Sequence, residues 1–280
     1  MPVKKDDAGN RRVEMEFLAP GTPEQIWDAM ATGPGNATWF TKATIEPRVG
    51  GKLMFHFGPD TTTSGEVTAW EPPRRFGYVE REWNPGAPPV ATEITITPHS
   101  GGQCVVRMVH SLFATTDDWD DQLESFENGW PGFFEVLRIY VRHFAGLEAV
   151  SAMTMTTVAG ETLDVWRRIT RVLGLSDAHA GEHRVLTSAP QPVAGVIERI
   201  HQDAGQRYIV VRLDQPTAGV AIVGAYRREG KTTVSITRFL YGPEQLTSAA
   251  LEEERWSEWL NETLAKDAQP QAARALRTRS

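Results

Sequence analysis

Between Trp39 and Tyr78 the chain alternates apolar and polar residues in two runs framed by glycine and proline. Lys52-Leu53-Met54-Phe55-His56-Phe57 follows Gly50-Gly51, and Glu66-Val67-Thr68-Ala69-Trp70 follows Gly65 and stops at Pro72-Pro73. Alternation with period two, bounded by turn residues, predicts antiparallel strands with one buried face. That face carries Leu53, Phe55 and Phe57, so it is broad and aromatic, and another part of the chain must cover it.

The flanking sequence supplies the remaining elements. Arg12–Leu18 alternates and reads as a first strand ended by Pro20-Gly21. Thr22-Pro23-Glu24-Gln25 then has the form of a helix start, with Thr22 as N-cap, Pro23 in the first turn and Gln25 placed to close a capping box. Gly33-Pro34-Gly35 breaks that helix, and a second short helical turn leads into Trp39-Phe40. Further strands are predicted at about 42–47, 51–57, 64–71, 75–83, 91–98 and 103–111, joined by the Pro85–Pro89 and His99–Gly102 connections. Trp130, Phe133, Phe134, Leu137, Val141 and Phe144 then recur at spacings of three and four, the stripe of a helix packed on one side. Pro131 must sit in the first turn of this helix or kink it. A curved sheet wrapped around the long helix would give the aromatic face its cover.

From about residue 150 the same order recurs: a strand at 150–158, a helix marked by Leu163, Trp166, Ile169 and Leu173, and strands at about 183–188, 193–202, 206–213, 218–228 and 231–241. A last helix is marked by Leu246, Trp256, Trp259, Leu260 and Leu264. Trp27 and Trp166 stand in corresponding helices. The pattern predicts an α+β chain built as two tandem copies, residues 11–146 and 150–266, with 1–10 and 267–280 as flexible tails. Each copy is long enough to bury roughly two thirds of its unfolded surface. The short junction between them predicts that the copies pack together.

Composition narrows the function classes. With 29 Lys and Arg against 36 Asp and Glu, the formal charge of −7 disfavours nonspecific binding to nucleic acid or to an anionic membrane, both of which need a basic face. Arg274, Arg277 and Arg279 near the C-terminus read as a solvated tail. Cys104 is the single cysteine, which excludes an intramolecular disulfide and disfavours a cysteine-based zinc site. The polar start MPVKKDDAGNRR lacks the apolar segment of a secretory signal, and no apolar run reaches the roughly 18–20 residues of a membrane span. A cytoplasmic protein is expected.

The first copy resembles the Bet v 1-like, START-related (SRPBCC) helix-grip superfamily, and within it the family related to the C-terminal domain of the activator of the Hsp90 ATPase. The residues that carry the resemblance are Ala19-Pro20, Pro23-Glu24-Gln25-Ile26-Trp27-Asp28-Ala29, Trp39-Phe40, Glu46-Pro47-Arg48-Val49-Gly50-Gly51, Gly65-Glu66-Val67, Glu71-Pro72-Pro73-Arg74-Arg75, Val109-His110-Ser111 and Gly129-Trp130. They stand in order over residues 11–145. The second copy is only weakly similar, keeping Val165-Trp166 and the element order. The resemblance implies a helix-grip fold, a curved antiparallel sheet around a long C-terminal helix, with a cavity between the two that commonly holds hydrophobic small molecules.

The sheet side of such a cavity would be lined by Phe55, Phe57, Tyr78, Ile94, Ile96 and Met108, and the helix side by Trp130, Phe133, Phe134 and Leu137. Together they would enclose about 300–1,000 Å³, as small-molecule sites do. His110 shares parity with Val106 and Met108 and so points inward, where an imidazole could exchange a proton or orient a carbonyl; it is the one candidate catalytic residue. His56 has the opposite parity to Phe55 and Phe57 and is expected to face solvent. Asp177, His179 and His183 form a D-x-H-x-x-x-H cluster in a loop, without a scaffold that would fix it as a metal site. Glu66, Glu80, Glu82 and Glu93 place carboxylates on strands without an evident acid/base couple. No nucleophile elbow, P-loop or dinucleotide fingerprint is present, and no cofactor is expected. The first reading is therefore non-enzymatic binding of a hydrophobic small molecule or partner protein. The alternatives are a cyclase- or dehydratase-like enzyme using His110, and a chaperone or stress-response regulator acting through its surface.

Overall fold

The computed structural model describes residues 3–5, 10–58, 61–81, 83–114, 116–203, 205–228, 230–242 and 249–265. The expectations for Glu82, Leu246, Arg274, Arg277 and Arg279 fall outside these residues. The chain divides into two compact units, Met1–Ala149 and Val150–Ser280.

In the first unit, Lys4–Lys5 form a short strand β1 paired with the start of β2 (Arg11–Pro20), where the sequence predicts a free tail. Along β2, Val13, Met15, Phe17 and Ala19 are buried, as the alternation requires. Helix α1 (Pro23–Ala31) opens with the predicted capping box: the Gln25 amide N–H donates to Thr22 Oγ1 at 3.3 Å, and the Thr22 amide N–H donates to Gln25 Oε1 at 2.9 Å. Helix α2 (Gly33–Ala37) follows at once, packed so tightly on α1 that a Cβ on Gly35 would lie 1.9 Å from the Asp28 carbonyl oxygen. Strands β3 (Lys42–Ile45), β4 (Lys52–Gly58), β5 (Thr61–Glu71), β6 (Arg75–Glu80), β7 (Val90–His99) and β8 (Gln103–Leu112) then form an antiparallel meander. The final strand returns to β2, giving an eight-stranded sheet of order β1-β2-β8-β7-β6-β5-β4-β3.

Both glycines before β4 have a structural reason. Gly50 takes φ +74°, a left-handed conformation, and a Cβ on Gly51 would stand 2.5 Å from the Glu46 carbonyl oxygen. Across the strand, Gly50 N–H donates to Val67 O and Val67 N–H donates to Gly51 O, at 2.8 and 2.9 Å.

Helix α3 (Asp120–His143) packs on β2 and covers the aromatic face. It starts well before the aromatic stripe, so Pro131 lies in its interior and not in its first turn. Its buried surface is also wider than the predicted stripe. Val136, Ile139 and Tyr140 are buried along with Phe134, Leu137 and Val141, whereas Phe144 is half-buried. Arg138 ties the helix to β2 by donating from Nε to the Leu18 carbonyl at 2.8 Å, and an Arg11–Asp120 ion pair ties its first turn to the start of the same strand.

The second unit repeats the plan with one strand fewer in the meander. Strand β9 (Ala149–Val158) leads to α4 (Thr162–Val172), then to β10 (His183–Leu186), β11 (Val193–Gln202), β12 (Gln206–Gln215), β13 (Gly219–Arg228), β14 (Lys231–Tyr241) and α5 (Ala249–Ala265). Its sheet order, β10-β11-β12-β13-β14-β9, again returns the last strand to the first. Trp166 and Ile169 from α4 and Leu173 at its C-cap share one core with Trp256, Leu260 and Leu264 from α5 and with Val211, Val234 and Ile236. Arg238 has the same parity as Val234 and Ile236 and is also buried, its guanidinium 4.4 Å from the Trp256 ring centroid. The chain is thus α+β, two tandem helix-grip units.

Candidate functional site

The interior of the first unit is an aromatic cluster between the sheet and α3, and Phe40 is its hub. Turned inward by the loop after α2, Phe40 meets Phe55 and Phe57 of β4 edge-on, at 5.9 and 5.7 Å between centroids. It meets Trp130 and Phe133 of α3 at 4.6 and 5.3 Å. Trp39 packs beside it on Trp130 at 6.0 Å, and its indole N–H donates to the Ala29 carbonyl at 2.9 Å.

Among the described residues, this packing leaves a small void against the aromatic cluster. The void between sheet and helix measures ≈ 10 Å³, at the lower limit of the roughly 10–15 Å³ needed by one water molecule. Of the residues predicted to line it, Phe55, Tyr78, Ile94, Met108 and Trp130 do so. Ile96, Phe134 and Leu137 are buried in the surrounding core, while Phe57 and Phe133 are half-buried against Phe40. Four further residues complete the wall: Met30, Asn36, Trp39 and Phe40. Asn36 is held there by its own amide, which donates to the Met30 and Thr32 carbonyls at 2.8 and 3.0 Å. The side chains of α1 and α2 occupy space that the sheet-and-helix picture left open.

A polar row crosses this apolar wall. The register sets Tyr78 of β6 opposite Thr92 of β7, and Thr92 opposite His110 of β8. All three are buried. Thr92 Oγ1 lies 2.8 Å from His110 Nδ1, and the same hydroxyl hydrogen-bonds the Tyr78 phenol. Burial drives the His110 pKa down to about 4, so the imidazole is neutral at pH 7, and burial also pushes the Tyr78 phenol upward. His110 further stacks on Trp130, with centroids 5.8 Å apart and planes 16° apart. One step along β6, Glu80 shares the parity of Tyr78. Thr63 Oγ1 donates to its carboxylate at 2.6 Å, yet burial outweighs that bond and raises the Glu80 pKa. The row therefore offers neutral groups able to exchange hydrogen bonds or a proton inside an apolar shell.

The other sequence candidates lie apart. Glu66 is exposed, and Glu93 accepts from Arg75 at 2.7 Å. His56 is half-buried, with Nδ1 3.5 Å from Thr62 Oγ1. Asp177, His179 and His183 turn to three different partners, Arg184, Glu182 and Asp214, at 3.2, 3.3 and 2.9 Å. Among the described residues no group of three or more His, Cys, Asp or Glu could hold a metal ion, and no helix is long and apolar enough to cross a membrane. Cys104 is buried, with Sγ 3.5 Å from the Gly21 carbonyl, and burial raises its pKa, away from the reactive thiolate.

Comparison with known proteins gives a family match and several structural similarities. Residues 20–142 match the family described as Activator of Hsp90 ATPase homolog 1-like protein. No curated protein matches the chain. Among solved structures, protein MLL2253 from Mesorhizobium loti is 26% identical, with a TM-score of 0.43 over 48% of this chain and 98% of that one. DynU16, from the dynemicin biosynthetic locus, is 17% identical, with a TM-score of 0.42 over 91% and 96% of the two chains. The di-domain ARO/CYC BexL from the BE-7585A biosynthetic pathway is 12% identical, with a TM-score of 0.44 over 92% and 95%. Over residues 20–142, the first of the two units is thus similar to the Activator of Hsp90 ATPase homolog 1-like family.

Proposed function

We propose that the first unit binds a hydrophobic small molecule between its sheet and α3, without transforming it. The observation that carries this reading is the interior wall: Phe40, Phe55, Trp130 and Phe133 meet there around a void, and Trp130 and Phe133 are only half-buried. The void itself is too small for a ligand, so binding requires these side chains to move, and apolar burial at about 25 cal/mol per Å² supplies the driving force. Titration of the full chain with 1-anilinonaphthalene-8-sulfonate tests it. The expected outcome is saturable fluorescence enhancement that Phe133→Asp abolishes while circular dichroism stays unchanged. Undiminished enhancement in a folded Phe133→Asp protein would place the site elsewhere.

A second reading rests on the Tyr78–Thr92–His110 row, which puts a neutral base and two hydroxyls against the same wall. It is acid–base catalysis on a bound compound, as in a cyclase or dehydratase. Under that reading His110→Ala would retain the fluorescent probe and lose turnover, whereas under the first there is no turnover to lose.

A further inference from the structure

We infer that the indole of Trp130 occupies a preformed slot for a flat aromatic ligand bearing a hydroxyl or carbonyl oxygen, and that such a ligand binds by displacing it. The inference deepens the binding reading above and rests on it.

The geometry of the rings points to this. Phe17, Phe134, Trp130 and His110 form a column with nearly parallel planes. Phe17 and Phe134 lie 4.1 Å and 19° apart, Phe134 and Trp130 5.6 Å and 12°, and Trp130 and His110 5.8 Å and 16°. Other contacts are inclined: Phe40 meets Phe55 at 76° and Phe133 at 89°, and Phe40 and Trp39 both meet Trp130 itself at 38°. Edge-on packing accommodates many shapes, but two parallel walls fit only a flat occupant. The walls belong to the rigid part of the molecule, because Phe134 and His110 are both 4% exposed. One edge of the slot is polar, since His110 Nδ1 is bonded to Thr92 Oγ1 and Thr92 in turn to Tyr78. An indole presents no oxygen to this edge.

The occupant is held less firmly than its walls. Trp130 is half-buried and stands between Gly129, around whose Cβ position there is open space, and Pro131, which brings no N–H to the helix. The ≈ 10 Å³ void touches Trp130, Tyr78, Ile94 and Met108, so withdrawal of the indole would merge the two volumes into one ligand-sized space along the polar row. A protein that already stores an aromatic ring between parallel walls exchanges one ring for another at less cost than it would open a closed core.

The test uses the full chain labelled with 5-fluorotryptophan, the Trp130 line among the nine tryptophans being assigned with Trp130→Phe. It is titrated with 2-naphthol, flat and oxygen-bearing, and with decahydro-2-naphthol, its saturated counterpart. The expected result is that 2-naphthol moves the Trp130 line to a solvent-exposed position and binds at least tenfold more tightly than the saturated compound. Trp130→Gly, which removes the competing ring, should bind 2-naphthol at least fivefold more tightly than the wild type. Equal affinity for both probes, 2-naphthol bound with the Trp130 line unmoved, or a folded Trp130→Gly protein with unchanged affinity would each overturn the slot while leaving interior binding standing. Failure of both probes to bind would overturn both.

Discussion

Acidification should loosen the first unit through His110, by an amount that follows from its burial. The imidazole sits at about 4 in the fold against an ordinary value of 6.5. The unfolded chain therefore takes up the proton more readily than the native one, so this contribution is complete above pH 6.5 and is lost as the pH falls from 6.5 toward 4. Between pH 7 and pH 5 the loss comes to about 2 kcal/mol. Glu80 acts in the opposite direction, because its raised carboxyl pKa favours the fold as it becomes protonated, so a bare pH series would mix the two. The difference between wild type and His110→Gln separates them, since Glu80 is common to both proteins. Amide exchange of Met108 and Val109 in β8 is the suitable assay, because it reports local opening in a chain of two units without assuming one global transition. Their opening free energy should fall by about 2 kcal/mol more in the wild type than in His110→Gln on going from pH 7 to pH 5. Equal losses in the two proteins, or a His110 Cε1–H resonance titrating near 6.5, would refute the reasoning.

Other perturbations test the neighbouring structure. Gly35→Ala places a methyl group 1.9 Å from the Asp28 carbonyl; overpacking of this kind costs about 1–3 kcal/mol, and chemical denaturation of the first unit should show a loss at the upper end of that range. Thr22→Ala removes one arm of the capping box and should cost about 1 kcal/mol, read as faster amide exchange at Gln25 and Ile26. Glu80→Gln mimics the protonated form that burial favours. It should slow amide exchange in β6 at pH 8, and the gain over wild type should shrink as the pH falls and the native carboxyl, its pKa raised by burial, becomes neutral.

Much of the architecture could be read from the chain because it depends on local chemistry. The capping box at Thr22 and Gln25, the paired glycines before β4 and the alternation along β2 and β8 are each fixed by neighbours in sequence, and the structure contains them. Errors arose where distant residues decide. The start of α3 at Asp120 is not marked by an apolar stripe, and Trp119 at its N-cap makes no side-chain capping bond. The shape of the interior is likewise set by distant residues. Parity alone turns Phe55, Tyr78 and Met108 inward, but whether the enclosed space is open depends on what enters from α1 and α2. Met30 of α1, Asn36 of α2 and, just beyond it, Trp39 and Phe40 do enter, and they line a void of ≈ 10 Å³. Thr92 shares the parity of Ile94 and Ile96 and could have been placed on the inner face, but its bond to His110 depends on a register between β7 and β8 that the alternation does not specify.

The return of β8 to β2, and of β14 to β9, has a consequence for how the chain comes into being. Strand β2, paired at its start with the short β1, finds its full-length partner only when β8 has been made, and β9 finds its partner only when β14 has. On a ribosome, the aromatic face of β4 to β6 therefore emerges long before α3 exists to cover it. The meander strands can pair as they appear, but neither the closing strand nor the covering helix can be hurried, since both lie at the end of the unit. During that interval Phe55, Tyr78 and their neighbours are open to whatever binds exposed aromatic surface. Synthesis of the second unit begins as the first becomes able to close, so the tandem order limits the exposed face to one unit at a time.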